Sequence, residues 1–379
     1  MNIGIVCYPT FGGSGVVATE LGIALAKKGH KIHFITYSQP FRLDHFTENI
    51  FYHEVSVNDY PLFDYQPYES ALSSKMVDVA RYEKLDLLHV HYAIPHAAAA
   101  YLAQQILKHE GIDIPYITTL HGTDITLVGR DPSFESVIRF SLNHSDAITS
   151  VSQSLKDDTL AQFHIEKDIH VIPNFINIKE YTTAKPLCHR NHYAAPNERV
   201  MVHVSNFRKV KRVEDVLRVF DIVRKTVPSK LILVGDGPER SNIEKLCRQL
   251  NTCNDIISLG KIANPRDILA VGDLFILPSE TESFGLAALE AMAMKMPVIS
   301  TNTGGLPELN IHGKSGFLSN VGDYEDMAKN AIHILKDDHT LKQFKKQAFE
   351  QAKTFDLEVI LPKYESIYEH VVSRMAATT

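Results

Sequence analysis

Asp273-Leu-Phe-Ile-Leu-Pro-Ser-Glu280-Thr-Glu282-Ser-Phe-Gly285-Leu-Ala-Ala-Leu-Glu290-Ala-Met292 reads as a strand, a glycine-bearing loop and a helix in succession. Residues 273–278 form a short apolar run. After Gly285, Leu286, Leu289, Met292 and Ala293 recur at three- and four-residue steps. Gly285 therefore opens a helix whose free N–H groups and positive dipole end face the loop, a setting that suits a phosphate. Glu282 and Glu290 stand eight residues apart, and at about 3.6 residues per turn they lie along roughly one face. One carboxylate in the loop and one in the helix can grip two hydroxylated parts of one ligand. Without the glycine and the helix start, they would read as a solvated loop acid and a surface helix charge.

The same strand-to-helix unit recurs on both sides. Strands are expected at 3–8, 30–37, 85–91, 115–120, 147–151 and 169–172, with helices at about 15–29, 97–109, 133–143 and 154–163 between them. Residues 173–199, rich in Asn, Lys, Pro and His, read as a linker. Alternation then restarts, with strands at 200–205, 231–234, 256–259, 274–277 and 298–300 and helices at 213–225, 242–250, 267–270 and 286–294. Three helices near 323–336, 339–353 and 357–374 follow, with no further strand expected. Such alternation predicts an α/β protein of two doubly wound, Rossmann-like parallel sheets. The domains are expected at 1–172 and 173–356, with the tail helix, about 357–379, packing back on the first. Ligands of such sheets sit beyond the strands' carboxyl ends, so a central cleft between two facing domains is the expected site.

Composition narrows the partners. Residues 1–172 carry 12 Lys and Arg against 20 Asp and Glu, a balance of −8; the remainder carries 27 against 25, or +2, which together give the net −6. Nucleic acid and an anionic membrane would both repel the first half, so a small soluble substrate is expected. No uncharged run reaches the roughly 18 residues of a membrane helix, and residues 1–8 read as a strand without a basic leader. Cys7, Cys188, Cys247 and Cys253 form no Cys-x-x-Cys pair and read as reduced thiols of a cytoplasmic protein. Association of further copies of the chain stays open.

Chemistry is expected at the strand ends. The first loop, Thr10-Phe-Gly-Gly13-Ser14-Gly15-Val-Val-Ala18, lets backbone approach a ligand closely. Its Gly-x-Gly-x-x-Ala spacing fits a dinucleotide fingerprint, but the second strand ends Ile35-Thr-Tyr-Ser-Gln39 without the acid that would hold a ribose. A loop closing over an anionic or sugar-like ligand fits better. His121 follows a strand in Leu120-His-Gly-Thr-Asp124; it is either a site residue or a hydrogen-bonded structural histidine. His89, His91 and His96 suggest a metal cluster, yet no carboxylate or cysteine is placed to complete it. No Asp-x-Asp is present either, so no metal is expected, and a diphosphate would be neutralised by protein cations and helix ends. Cations stand in Ser205-Asn206-Phe-Arg208-Lys-Val-Lys211-Arg212: Arg offers a planar fork, Lys a point charge. Gly235-Asp236-Gly237-Pro238 and Thr303-Gly-Gly305 are further glycine turns at strand ends.

Taken together, these stretches and Ile172-Pro-Asn-Phe-Ile-Asn177 resemble the retaining glycosyltransferases of the GT-B fold, family 4, over nearly the whole chain. Many members have Asn-Gly-Val-Asp where this chain has Asn-Phe-Ile-Asn. The resemblance makes 1–172 the acceptor-binding domain and 173–356 the nucleotide-sugar domain. It implies a UDP-sugar donor, with His121, Arg208, Lys211 and Glu282 catalytic: Arg208 and Lys211 on the diphosphate, Glu282 on a sugar hydroxyl and His121 beside the reacting carbon. It further implies donor contacts from Gly13, Ser14, Gly15, Asp236, Gly237, Ile262, Ser283, Phe284, Gly285 and Leu286, with Glu290 on the ribose hydroxyls. Tyr8-Pro-Thr-Phe-Gly-Gly-Ser-Gly15 and His89-Val-His-Tyr-Ala-Ile-Pro95 are similar to members that move N-acetylglucosamine from UDP-N-acetylglucosamine to L-malate in bacillithiol biosynthesis. Ser14, Tyr92, Thr119, Asn206 and Arg208 are then candidates for malate. An epimerase acting on the donor alone, a transferase with another small acceptor, and a two-lobed sugar-binding protein stay open as alternatives.

Overall fold

In the computed structural model, all residues are described except Phe11, Arg42, 44–47, 58–64, 184–188 and Thr379. The chain divides into two compact units, Met1–Asn174 with Leu357–Thr379, and Phe175–Asp356. The first unit runs β1 (Asn2–Val6), α1 (Gly13–Lys27), β2 (Lys31–Thr36), β3 (Ile50–Glu54), α2 (Tyr68–Glu83), β4 (Leu87–His91), α3 (Ala98–His109), β5 (Tyr116–Leu120), α4 (Pro132–His144), β6 (Ala147–Ser150), α5 (Gln153–Gln162) and β7 (Ile169–Val171). The second begins with α6 (Ile178–Thr183), β8 (Arg199–Val204), α7 (Val213–Arg224), β9 (Ser229–Val234), α8 (Arg240–Gln249), β10 (Ile256–Ser258) and α9 (Arg266–Leu269). It continues through β11 (Leu274–Leu277), α10 (Leu286–Ala293), β12 (Val298–Thr301), α11 (Leu306–Leu309), β13 (Gly316–Ser319), α12 (Tyr324–Leu335) and α13 (Asp338–Lys353). The last helix, α14 (Leu357–Thr378), belongs to the first unit.

Both sheets are parallel. Their strand orders are β3-β2-β1-β4-β5-β6-β7 and β10-β9-β8-β11-β12-β13. In each, the order reverses once, between β1 and β4 and between β8 and β11, and such a switch point opens a crevice at the strands' carboxyl ends. Central strands are largely apolar because helices cover both faces: Ile3, Ile5, Val6, Leu87, Leu88 and Val90 are all fully buried.

Several expectations need correction. β3 has no buried residue, so an edge strand here carries no core-facing period to read. α2 buries Leu72, Met76, Val77, Val79 and Ala80, but its Ser-Ser-Lys run masks the stripe. β13, only four residues long and opening on Gly316, pairs with β12 where no further strand was expected. The 173–199 linker holds α6 and is tied to the sheet: Arg190 donates to the Val271 carbonyl and pairs with buried Asp273, which also binds Lys345. Cys247 and Cys253 are joined by a disulfide, so these two are not the reduced thiols expected; six residues apart, they match no motif. Cys7 is a buried thiol whose pKa burial pushes up to about 12, and Cys188 lies outside the described residues.

Helix α14 is anchored by aromatic burial. Tyr364 and Tyr368 are fully buried, and Tyr368 Oη hydrogen-bonds His89 Nδ1 at 2.7 Å. At the surface Lys28 of α1 pairs with Glu365 at 2.6 Å. Replacing Tyr368 by Phe keeps the ring but leaves His89 Nδ1 unpaired in a dry core. That should cost about 1–3 kcal/mol, read as a lower urea midpoint; an unchanged midpoint would show that the hydroxyl contributes nothing to holding this helix.

Candidate functional site

In the second unit the candidate residues cluster where β8, β9, β11 and β12 end. Gly285 caps α10 in a left-handed conformation, φ 97°, which only glycine adopts without cost. The first N–H groups of α10 have no partner within the helix, and no acid occupies its first turn. The loop before it is held on two sides. Glu280 N–H donates to the Val210 carbonyl at 2.8 Å, and Gly305 N–H donates to the Glu282 carbonyl at 2.9 Å. A Cβ on Gly304, at φ 57°, would lie 2.0 Å from the Glu282 carbonyl oxygen, so no other residue permits this approach.

The side chains converge on the same loop. Lys211 Nζ binds Glu282 Oε2 at 2.6 Å, both partly buried. Such a pair offsets part of the cost of burying each charge. Arg208, three residues earlier, is exposed and makes no ion pair among the described residues. Phe284 is buried, its ring 5.5 Å from that of Phe355; Ser283 and Leu286 flank it, half-buried. Glu290 is 8% exposed and accepts a hydrogen bond from Tyr181 Oη at 3.1 Å. Arg266 covers the Tyr181 ring at 4.8 Å and pairs with Glu180 at 2.9 Å. The β8 and β9 loops also touch: Phe207 N–H donates to the Asp236 carbonyl at 3.1 Å, while the Asp236 carboxylate accepts from Gly237 N–H. Gly235 N–H reaches the Gly260 carbonyl at 2.7 Å, which sets the β10 loop, with half-buried Ile262, beside the β9 loop. Beneath them His203 Nδ1–H donates to the Ile276 carbonyl and Nε2 accepts from Ser205 Oγ.

In the first unit Gly13, Ser14 and Gly15 form the first turn of α1. Gly15 lies against the Tyr8 and Thr10 carbonyls, where a Cβ would clash at 2.6 Å. Tyr92 Oη donates to Ser14 Oγ at 2.7 Å, joining the β1 and β4 ends. Tyr92 itself has φ 87°, a strained backbone for a bulky side chain, and such strain clusters at functional sites. It is held by Tyr92 N–H to the Thr119 carbonyl and by Ala93 N–H to Asp124 Oδ2. The other oxygen of Asp124 accepts from Gly122 N–H at 3.0 Å. Burial outweighs these donors and raises the Asp124 pKa to about 6.

His121 sits at the end of β5, its Nε2 2.8 Å from His91 Nδ1 and its ring 5.3 Å from that of Tyr92. Burial, reinforced by His96, holds its pKa down at about 3. His89 is likewise held at about 3 and His96 at about 4, and His91 is lowered well below its usual value, all mainly by burial. These imidazoles are neutral at pH 7 and act as hydrogen-bonding groups, not as acids.

Within each unit, then, the expected residues stand at neighbouring strand ends, with two qualifications. Thr119 is 0% exposed and its hydroxyl is shared between His89 and Thr149; it supports the floor and does not face a ligand. Lys211 is not a free cation but Glu282's partner. Asp124, His203 and Tyr181 are polar supports that reading the sequence missed, and His91, considered there only as a metal ligand, supports His121. Asp124 had a signal, an acid just past a strand end in His-Gly-Thr-Asp; Tyr181 lay in what read as a linker. A groove of about 650 Å³ beside β7 and α14, lined by Gln153, Lys156, His170 and Pro362 among others, includes none of the candidate residues.

Two parallel sheets with ligand-ready strand ends, matched over 11–180 by Glycosyltransferase Family 4 and over 187–351 by Glycosyl transferases group 1, place the chain in the GT-B glycosyltransferases, and it belongs to that family. It is a hexosyltransferase. Over 98% of its length and 97% of the relative's, the chain is 48% identical to the N-acetyl-alpha-D-glucosaminyl L-malate synthase of Bacillus anthracis. It is 25% identical to the alpha-monoglucosyldiacylglycerol synthase of Acholeplasma laidlawii, over 77% of each chain. Among solved structures, the sucrose-phosphate synthase of Thermosynechococcus elongatus superposes with a TM-score of 0.82 at 19% identity, covering 99% of this chain and 100% of that one. Anabaena Alr3699/HepE in complex with UDP and glucose gives 0.79 at 20% identity, covering 99% of each. No helix among the described residues is long and apolar enough to cross a membrane.

The buried histidines set an acid limit. His89, His91, His96, His121, His203 and His33 all have folded pKa values lowered, chiefly by burial. The unfolded chain binds more protons than the folded one below the free imidazole value of about 6.5. Stability is therefore lost as pH falls from there toward the folded values. Asp124, with its pKa raised, works in the opposite sense between about 4 and 6. Unfolding at pH 5 should take up several protons net, each worth about 1.4 kcal/mol per pH unit. A potentiometric difference titration of native and urea-unfolded chain checks this, and an uptake near zero would contradict neutral burial of the cluster.

Proposed function

We propose that the chain transfers N-acetylglucosamine from UDP-N-acetylglucosamine to the hydroxyl of L-malate, with retention at the anomeric carbon and without a metal, in the cytoplasm. The observation that carries this reading is the 48% identity, across 98% of the chain, to a relative named for that product. The strand-end geometry supports it. Arg208, Lys211 and the α10 N-terminus are assigned to the diphosphate, and Glu290, just over one turn into α10, to the ribose. Glu282 and His121 are assigned to the donor sugar. Ser14, Tyr92, Asn206 and Arg208 are assigned to malate, whose two carboxylates need donors and a cation. The reaction would open bacillithiol biosynthesis.

In the proposed step the malate hydroxyl oxygen attacks the anomeric carbon as its bond to the β-phosphate oxygen breaks. The hydroxyl proton passes to that leaving phosphate on the same face. Retaining glycosidases place two carboxylates about 5 Å apart, one as nucleophile; no such pair is assigned to the donor sugar here, and the reading is therefore front-side attack. Charge grows on the phosphate in the transition state, so the cations act mainly there.

The test is UDP release from UDP-N-acetylglucosamine with and without L-malate, in the presence of a chelator. Release should depend on malate and survive chelation; malate-independent conversion of the donor would point to an epimerase instead. Lys211→Ala should lower kcat/KM by roughly 10²–10³, the scale of losing one donor to a developing oxyanion. Full activity in that variant would remove Lys211 from the diphosphate site.

A further inference from the structure

Away from the strand-end residues, the outer edge of the first sheet brings together a second set of ligating groups. His33 on β2, His53 on β3 and Glu83 at the end of α2 each offer one ligand atom, and these atoms lie within 4.8 Å of one another. His33 Nδ1 and His53 Nε2 are already in contact at 2.9 Å. The parallel register sets His33 beside Phe51 and Ile35 beside His53, so the two histidines are diagonal neighbours on one sheet face. Phe51 stacks on the His33 ring at 4.7 Å and fixes its plane. Glu83 is positioned from behind: Asn2 Nδ2 donates to the Glu83 carbonyl at 3.1 Å and to the Lys84 carbonyl at 3.2 Å, which pins the end of α2 to β1.

The donor set is chemically specific. Two neutral imidazoles and a carboxylate suit a borderline divalent ion such as zinc. Tetrahedral zinc with nitrogens at about 2.0–2.1 Å separates two of its ligands by about 3.3 Å. The histidine nitrogens need to part by only a few tenths of an ångström. Glu83 is exposed, so its flexible side chain can close the remaining distance, and water can take the fourth position. Burial is the main influence keeping both imidazoles unprotonated, and hence able to coordinate, at pH 7; Lys31 beside His33 and Lys75 beside His53 act in the same direction, Glu83 in the opposite one.

We propose that His33, His53 and Glu83 form a binding site for one divalent transition-metal ion of the zinc class, an accessory site remote from the transfer chemistry that clips β2, β3 and α2 together. It links an edge strand without buried side chains to two elements of the core. The proposal is independent of the assignment of donor and acceptor.

Cobalt(II) serves as the probe, because tetrahedral coordination gives intense visible bands that a hydrated ion lacks. Titration of chelator-stripped full-length chain should develop these bands to one equivalent, and added Zn²⁺ should bleach them. His53→Ala should abolish the bands. Glu83→Gln, at an exposed position that does not threaten folding, should weaken cobalt binding tenfold or more. Saturating Zn²⁺ should raise the melting temperature of the natural chain and leave that of His53→Ala unchanged. Bands that persist at full strength in both variants would place the ion elsewhere, for instance at His89, His91 and His121, and overturn the proposal; so would the absence of bands in the natural chain.

Discussion

The second unit depends on how closely one loop backbone can approach another beneath Glu282. Gly304 and Gly305 lie so near the Glu282 and Ser283 carbonyls that any side chain would force them apart. That approach allows the Gly305 N–H to Glu282 carbonyl bond, which fixes the height of Glu282 above the sheet. Fixing Glu282 in turn places its carboxylate on Lys211, and the same backbone carries Gly285 into the left-handed turn that starts α10. A shift of one ångström at this contact would move an ion pair, a helix start and a row of free N–H groups together. Because the contact is between main chains, it owes nothing to side-chain rotamers and is as rigid as the sheet ends that bear it.

The first unit solves a different problem, keeping polar side chains in place where almost no water reaches. His89, His91 and His96 are fully buried, and an ionised imidazole there would be costly. Their pKa values fall, the rings stay neutral, and each finds a hydroxyl, a carbonyl or another ring: Tyr368 and Thr119 for His89, His121 for His91, the His91 carbonyl for His96. Asp124 then uses its two oxygens to bind the loops after β4 and β5 to each other. The strained backbone of Tyr92 is tolerable because its own N–H is bonded to the Thr119 carbonyl and that of Ala93 to Asp124. The outcome is a floor of neutral imidazoles and hydroxyls beneath Tyr92, Ser14 and His121, with the Asp124 carboxylate committed to backbone N–H groups.

How much of this was legible follows from where the periodicity was strong. Central strands such as β1 and β4 announce themselves because most of their residues are apolar on both faces, and α10 because Gly285 precedes a clean helical stripe. The edge strand β3 is silent because nothing in it is buried, and β13 because four residues opening on glycine carry no period. At the candidate site, residue types at strand ends could be named from sequence, but their partners could not. Nothing in the spacing of Lys211 and Glu282, seventy-one positions apart, predicts an ion pair. Nor does anything mark Tyr181 as the donor to Glu290, because that contact depends on where α6 lands after the chain leaves the first sheet. Thr119 fits the malate assignment poorly for a related reason: in a strand covered on both faces, a polar side chain one residue short of the strand's end is buried as the apolar ones are.

The Lys211–Glu282 pair bears on how a donor would be recognised. Together the two groups present almost no net charge, so in the proposed transfer the first positive charge open to a diphosphate would be that of exposed Arg208, supported by the α10 dipole. Lys211 would then exchange its carboxylate partner for a phosphate oxygen. An exchange of one anion for another in a part-buried site costs far less than stripping a solvated lysine of its water. It would also free the Glu282 carboxylate as the donor sugar arrives. In the proposed transfer the diphosphate therefore does more than anchor the donor: by taking Lys211 it releases the acid that holds the sugar, so that a nucleotide without its sugar and a sugar without its nucleotide each engage only half of the arrangement.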